Sequence, residues 1–177
     1  MLQPAMLDAD SRRFPRVPLE RRGAAFAVDF GAAALLSLLF GGLYILAFVF
    51  AWLGLRVVLV SKNRGQSLGR WLFDMKAIDP KYRSIPNLTE LSKREAITGA
   101  GALLMLIGLA NLSAANAWIL LTPIPLLVDC SFAFTDEEFR QAYHDRLGRT
   151  VIAQTRRGYS LDIKVKKLFA QSRQRVR

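Results

Sequence analysis

Two long apolar blocks limit this chain more than any other feature. Residues 23–60 hold two charged side chains in 38 positions, and residues 96–128 hold none in 33. A soluble chain of this composition spreads its apolar residues at periods of 2 or 3.6 rather than in blocks. About 20 residues span a hydrocarbon core of about 30 Å, so each block is too long for one crossing and fits a helical hairpin. Gly41-Gly42 interrupts the first block, and Asn111-Leu-Ser-Ala-Ala-Asn116 the second, with turn-forming residue types. The pattern predicts an all-α membrane protein: a four-helix transmembrane bundle of two hairpins, with helices at about 23–41, 43–61, 96–112 and 116–134, and a small cytoplasmic α/β portion. The first block is far longer than an h-region of about 7–15 residues, which argues against a cleaved signal peptide.

The basic residues behind the net charge of +11 lie almost entirely outside the blocks. The first 22 residues carry five Lys and Arg, residues 62–94 eight and the chain after 135 eleven, whereas the predicted turns at 41–42 and 111–116 carry none. With four helices the two termini and the middle segment share a side, and the positive-inside rule makes it the cytoplasm. Residues 1–15 read as a flexible arm, 16–155 as the membrane domain and 156–177 as a basic tail.

Within the first block one acid stands out. An ionised carboxylate near the middle of a membrane helix costs about 2.5–3.5 kcal/mol on insertion scales. Stepping by four through Asp29 gives Ala25, Asp29, Ala33, Ser37 and Gly41, a stripe of small residues of the kind that lets membrane helices approach closely. Asp29 is therefore expected to face protein. It lies seven residues inside Arg22, about 10 Å along the helix. Arg56 and Asp129 lie at similar depth in the second and fourth predicted helices, and the expectation is a charged layer of Asp29, Arg56 and Asp129. Arg56 also has the option of snorkelling to the headgroups. Such a layer has two readings: an ion pair that fixes helix register, or a carboxylate site that holds an ion or a proton for transport. Thr122 and Pro125 share the Asp129 face, and Pro123 and Pro125 free backbone carbonyls for a cavity.

Between the blocks, Leu68, Trp71, Leu72 and Met75 recur at helical spacing, as in a short interfacial helix. Lys-Ala-Ile-Asp before Pro80 reads as a strand ended by a turn, and Thr150-Val-Ile-Ala-Gln154 as a second strand able to pair with it. The segments RRGAAFAVD, GQSLGRWLFDMKAID and HDRLGRTVIA, in that order, resemble the RDD family of bacterial membrane proteins over about residues 16–155. That family is named for one arginine and two aspartates, which fall by motif on Arg22, Asp29 and Asp145. Asp74 and Met75 depart from its usual small or apolar residues. The resemblance implies a multi-pass protein of the bacterial inner (or a thylakoid-type) membrane with both termini cytoplasmic. It also implies a function associated with transport, some relatives being linked to cation/proton antiport, and it names no substrate. Arg22 and Asp145 are both expected at the cytoplasmic interface, clamping the first helix to the segment after the fourth, with Arg21 as an alternative partner.

His144 beside Asp145 suggests a metal site, but the chain has one histidine and one cysteine, too few for a metal-dependent phosphohydrolase, and no phosphate-binding glycine loop or nucleophile elbow is present. No cofactor, no metal and no catalytic residue is expected. His144 is read either as a pH-sensitive group near the interface or as a hydrogen-bond partner. The tail holds eight basic residues and one acid in 22 positions. Arg156, Arg157, Lys164, Lys166 and Lys167 are expected to bind anionic lipid of the bilayer or a partner subunit, and nucleic acid is not an expected partner. Two functions remain in view. One is a small, oligomeric protein that transports a cation, a proton or a small solute through the carboxylate layer; the other is a non-catalytic accessory subunit of a larger membrane complex.

Overall fold

The computed structural model describes residues 17–136, 139–155, 160–161 and 163–165. The N-terminal arm and, in the tail, Arg156, Arg157, Lys166 and Lys167 lie outside the described residues. The chain is mostly helical. Helix α1 spans Leu19–Leu38, and a 3-10 turn at Gly41–Leu43 leads into α2, Tyr44–Leu53. A π-helical turn at Gly54–Val58 joins α2 to α3, Leu59–Lys62. Short α4, Leu68–Leu72, and strand β1, Met75–Ile78, follow. Helix α5 is Leu88–Ala110, the 3-10 segment Ala114–Leu121 leads into α6, Ile124–Thr135, and α7, Tyr143–Leu147, precedes β2, Val151–Gln154. Among the described residues two segments are long and apolar enough to cross a membrane, Gly41–Lys62 and Ala115–Thr135.

The expected strands pair. β1 and β2 are antiparallel, with Met75 opposite Gln154 and Ile78 opposite Val151. Met75 therefore belongs to the sheet and not to the interfacial helix, which ends at Leu72 because Asp74 turns into positive φ. The short α4 keeps Trp71 half exposed and buries Gly69 and Arg70.

The small-residue stripe on α1 is buried: Ala25, Asp29, Ala33 and Ser37, joined by Phe30. Phe30 and Ala33 pack with Phe48, Trp52, Ala102 and Leu106, which ties α1, α2 and α5 into one core. A second core joins the start of α1 to the sheet through Val17, Ala25, Phe73, Met75, Ala77 and Ile152.

Two helices depart from the expected bounds. Helix α5 starts eight residues before the expected 96, because Asn87 and Glu90 form its N-terminal cap; the Asn87 backbone N–H donates to Glu90 at 3.1 Å. The charged residues 93–95 thus lie inside a helix, not in a loop. The expected helix at 116–134 is broken: Asn116 has non-helical φ/ψ (−117°, 36°), and regular helix resumes only after Pro123, which cannot donate to the preceding turn.

Gly69 meets α1 at a close crossing. A Cβ at Gly69 would lie 2.0 Å from the Ala25 carbonyl oxygen, whereas one at Gly31 would meet nothing within 4 Å. Gly69→Ala is expected to lower stability by about 3 kcal/mol, and Gly31→Ala to change it by less than about 1 kcal/mol in either direction. Thermal unfolding of the two variants in detergent checks the difference.

Candidate functional site

Asp29 is fully buried and fully engaged. Its Oδ2 accepts from Arg56 Nη1 at 2.8 Å and from the Ser67 hydroxyl at 2.6 Å, and its Oδ1 accepts from the Gly69 backbone N–H at 2.7 Å. The acid on α1 therefore organises the turn that opens α4. That turn is the Gly-Gln-Ser-Leu-Gly stretch, and the Ser67 side chain in turn accepts from the Arg70 backbone N–H.

Arg56 sits at the centre of the π-helical turn, where one extra residue per turn shifts the side-chain direction. Its guanidinium spans Asp29 and Glu95, with Nε 2.7 Å from Glu95 Oε2 and Nη2 3.2 Å from Oε1. It also lies 4.9 Å from the Trp52 ring centroid, a cation–π contact. The expected layer is corrected here. Arg56 pairs with Asp29, but the second carboxylate is Glu95 of α5, not Asp129 of α6. Residue 95 stood just outside the predicted helix, so its place on a buried face was hidden by the misplaced boundary.

From Glu95 the network continues. Arg70 Nη2 lies 3.3 Å from Glu95 Oε1, Arg94 Nε 3.5 Å from the same oxygen, and the Thr98 hydroxyl donates to Oε2 at 2.8 Å. Arg94 Nη2 then reaches Asp145 Oδ1 at 3.0 Å. Asp145 also pairs with Arg22 and caps α7 by accepting from the Ala142 backbone N–H at 3.2 Å. Arg22 additionally donates to the Arg140 carbonyl, which holds the start of α1 to the chain leading into α7. Asp129 is taken up elsewhere. Its Oδ1 accepts from the His144 backbone N–H at 2.8 Å, and its Oδ2 contacts His144 Nδ1. His144 is buried between Asp129 and Asp145, with Nε2 3.3 Å from Asp145, not at an exposed interface. Lys164 is exposed, apart from this network.

Arg22, Arg56, Arg70 and Arg94 all line one cavity of about 380 Å³ between α1 and α6. The first helix packs on α2 and α4, and the sixth on α5 and α7, which leaves the space between them open. Pro123 lines it too. Behind these guanidiniums stand the carboxylates of Asp29, Glu95 and Asp145, and Asp129 stands behind His144. Arg70 is 3% exposed, and among the described residues its Nη1 has no hydrogen-bond partner. Burial, followed by the Arg94 and Arg56 charges beside it, pulls the Arg70 guanidinium well below its ordinary value. Sequence reasoning missed Arg70, Arg94 and Glu95; the available signal was the Arg94-Glu95 pair directly before an uncharged run of 33 residues.

Two predictions concern this network. Breaking one member of a buried ion pair costs about 3–5 kcal/mol, so Asp29→Asn is expected to lower the yield of folded, monodisperse protein on size exclusion, not merely to alter activity. For Asp145, burial alone would raise the pKa, but the Arg22 and Arg94 guanidiniums outweigh it and hold the carboxyl well below the ordinary carboxylate range. Its contribution to stability is complete above the unfolded value of about 3.9 and is lost as pH falls below that toward the depressed folded value. Asp145→Asn is expected to flatten the fall of Tm below about pH 4, measured by scanning pH in thermal unfolding.

No curated protein and no solved structure matches the chain. The model of the RDD family matches residues 16–149, a stretch that contains Arg22, Asp29 and Asp145 together with the charge network they enter. The chain belongs to the RDD family.

Proposed function

We propose that this RDD protein is a non-catalytic, multi-pass membrane protein whose helical segments form two membrane hairpins with both termini cytoplasmic, and that it binds or carries an anionic ligand in the arginine-lined cavity. The observation that supports this is the cavity wall: four guanidiniums line it and no carboxylate does, and the Nη1 of buried Arg70 has no partner among the described residues. A buried polar group without a partner costs about 1–3 kcal/mol, and more when charged, and an anion would relieve that cost. A carboxylate site for a cation or a proton fits less well. Asp29 and Glu95 each already accept from at least two donors, Asp145 Oδ2 accepts from Arg22 and the Ala142 N–H, and Asp145 Oδ1 lies 3.0 Å from Arg94 Nη2, which leaves little room for a competing cation.

Two segments support the membrane placement: Gly41–Lys62 and Ala115–Thr135 meet the length and apolarity of a crossing. Exposed Leu35 and Leu38 on α1 and Leu104 and Leu109 on α5 suit contact with lipid.

The test is ligand-induced stabilisation of the purified protein. Glycerol phosphate or phosphatidylglycerol is expected to raise Tm over chloride alone, since a ligand at 100 times its Kd stabilises by about 2.7 kcal/mol. Exchanging sodium for potassium is expected to leave Tm unchanged. The reading fails if neither anionic probe acts, or if proteoliposomes show sodium/proton exchange that Asp29→Asn abolishes in fully folded protein.

A further inference from the structure

The cavity is polarised along its length. On α5 the residues that line it run from Arg94 through Thr98 to Met105, from charge to apolar over about 16 Å of helix at 1.5 Å per residue. The facing wall on α6 is apolar, with Leu126, Leu127, Ala133 and Phe134 lining it. Leu127 and Phe134 also belong to the outer surface, at 64% and 75% exposure, so the cavity opens sideways between α1 and α6, on the face that a bilayer covers. A soluble anion needs the guanidiniums and no more; the long apolar arm and the lateral mouth suit a ligand that carries a chain. A volume of about 380 Å³ falls within the range of ligand pockets, about 300–1,000 Å³.

We propose that the cavity takes an acidic phospholipid from the surrounding bilayer, with its phosphate seated against Arg70 and Arg94 and one acyl chain lying along α6. The guanidinium fork matches phosphate oxygens in a bidentate manner, and among the described residues Arg70 Nη1 and Arg94 Nε are buried guanidinium donors without a hydrogen-bond partner. The charged end lies toward the start of α1 and α7, which is the depth of headgroups in the proposed orientation, and the apolar end runs inward with the hydrocarbon. This rests on the reading of the cavity as an anion site and adds the class of anion.

Cys130 supplies a reporter. It is the only cysteine in the chain, it is exposed, and it lines the cavity. The full-length protein in a neutral detergent would be titrated with phosphatidylglycerol, phosphatidylcholine or glycerol phosphate. Lipid retention is read by native mass spectrometry, and site occupancy by the rate at which N-ethylmaleimide alkylates Cys130. Phosphatidylglycerol is expected to be retained at one copy per chain and to slow alkylation, and phosphatidylcholine at equal concentration to do neither. Arg70→Met is expected to weaken phosphatidylglycerol about tenfold, the loss of one charge-assisted hydrogen bond; Glu95 keeps its Arg56 and Thr98 partners in that variant. Leu127→Trp narrows the exposed apolar mouth without touching an ion pair, and is expected to abolish the protection even if Arg70→Met does not fold. Protection by glycerol phosphate equal to that by phosphatidylglycerol overturns the lipid assignment and leaves the anion site standing. Equal protection by phosphatidylcholine, or none by any probe, overturns both.

Discussion

Arg56 held between Asp29 and Glu95 is the interaction on which the rest of the structure depends. It joins three helical elements: α1 through Asp29, the π-helical turn through its own backbone, and α5 through Glu95. All three side chains are buried, so each charge has lost its water and the group holds only if every member is present. Removing one leaves an uncompensated charge, which is why buried pairs are costly to break even where they contribute little relative to an apolar replacement. The π-helical turn is part of the same constraint. Helical strain of this kind persists where surrounding contacts over-determine it, and Arg56 is fixed by two carboxylates and the Trp52 ring.

Around that centre Arg22, Asp29 and Asp145 divide into two clamps. Asp29 reaches sideways from α1 to Ser67 and Gly69 and so docks the loop after the second helix. Arg22 and Asp145 tie the first turn of α1 to α7, which follows the last long helix. The clamps are linked through Glu95 and Arg94, which pair with Arg56 and Asp145 respectively. Helices α1, α5 and α7, the π-helical turn and the loop after α3 thus share one polar framework. The carboxylates of the framework lie behind the guanidiniums, and the wall that faces the cavity is cationic at one end and apolar along the rest.

Much of this was legible in the sequence for physical reasons. The small-residue stripe through Asp29 is a period-of-four pattern that survives any shift of helix ends, and it proved to be the buried face of α1. The two β-prone runs were short, bounded by turn residues and paired as read. What was not legible depended on boundaries. Charge segregation put residues 62–94 into a cytoplasmic loop, but the Asn87–Glu90 cap starts α5 earlier and carries Arg94 and Glu95 into the bundle. Depth alone matched Asp129 to Arg56, yet depth says nothing of azimuth. The break at Asn116 and Pro123 and the short segment before α7 bring Asp129 to His144 instead. That guanidiniums and no carboxylate line the cavity became visible only once the partners of each carboxylate were known.

The most direct measurement is a structure of the full chain in a bilayer that contains phosphatidylglycerol. The account predicts density between α1 and α6, with a phosphate within hydrogen-bond distance of Arg70 Nη1 and an acyl chain along Leu126 and Leu127, while Asp29 keeps Arg56, Ser67 and Gly69. A cavity closed by side chains, or a cation bound at Asp29 in place of Arg56, would contradict it.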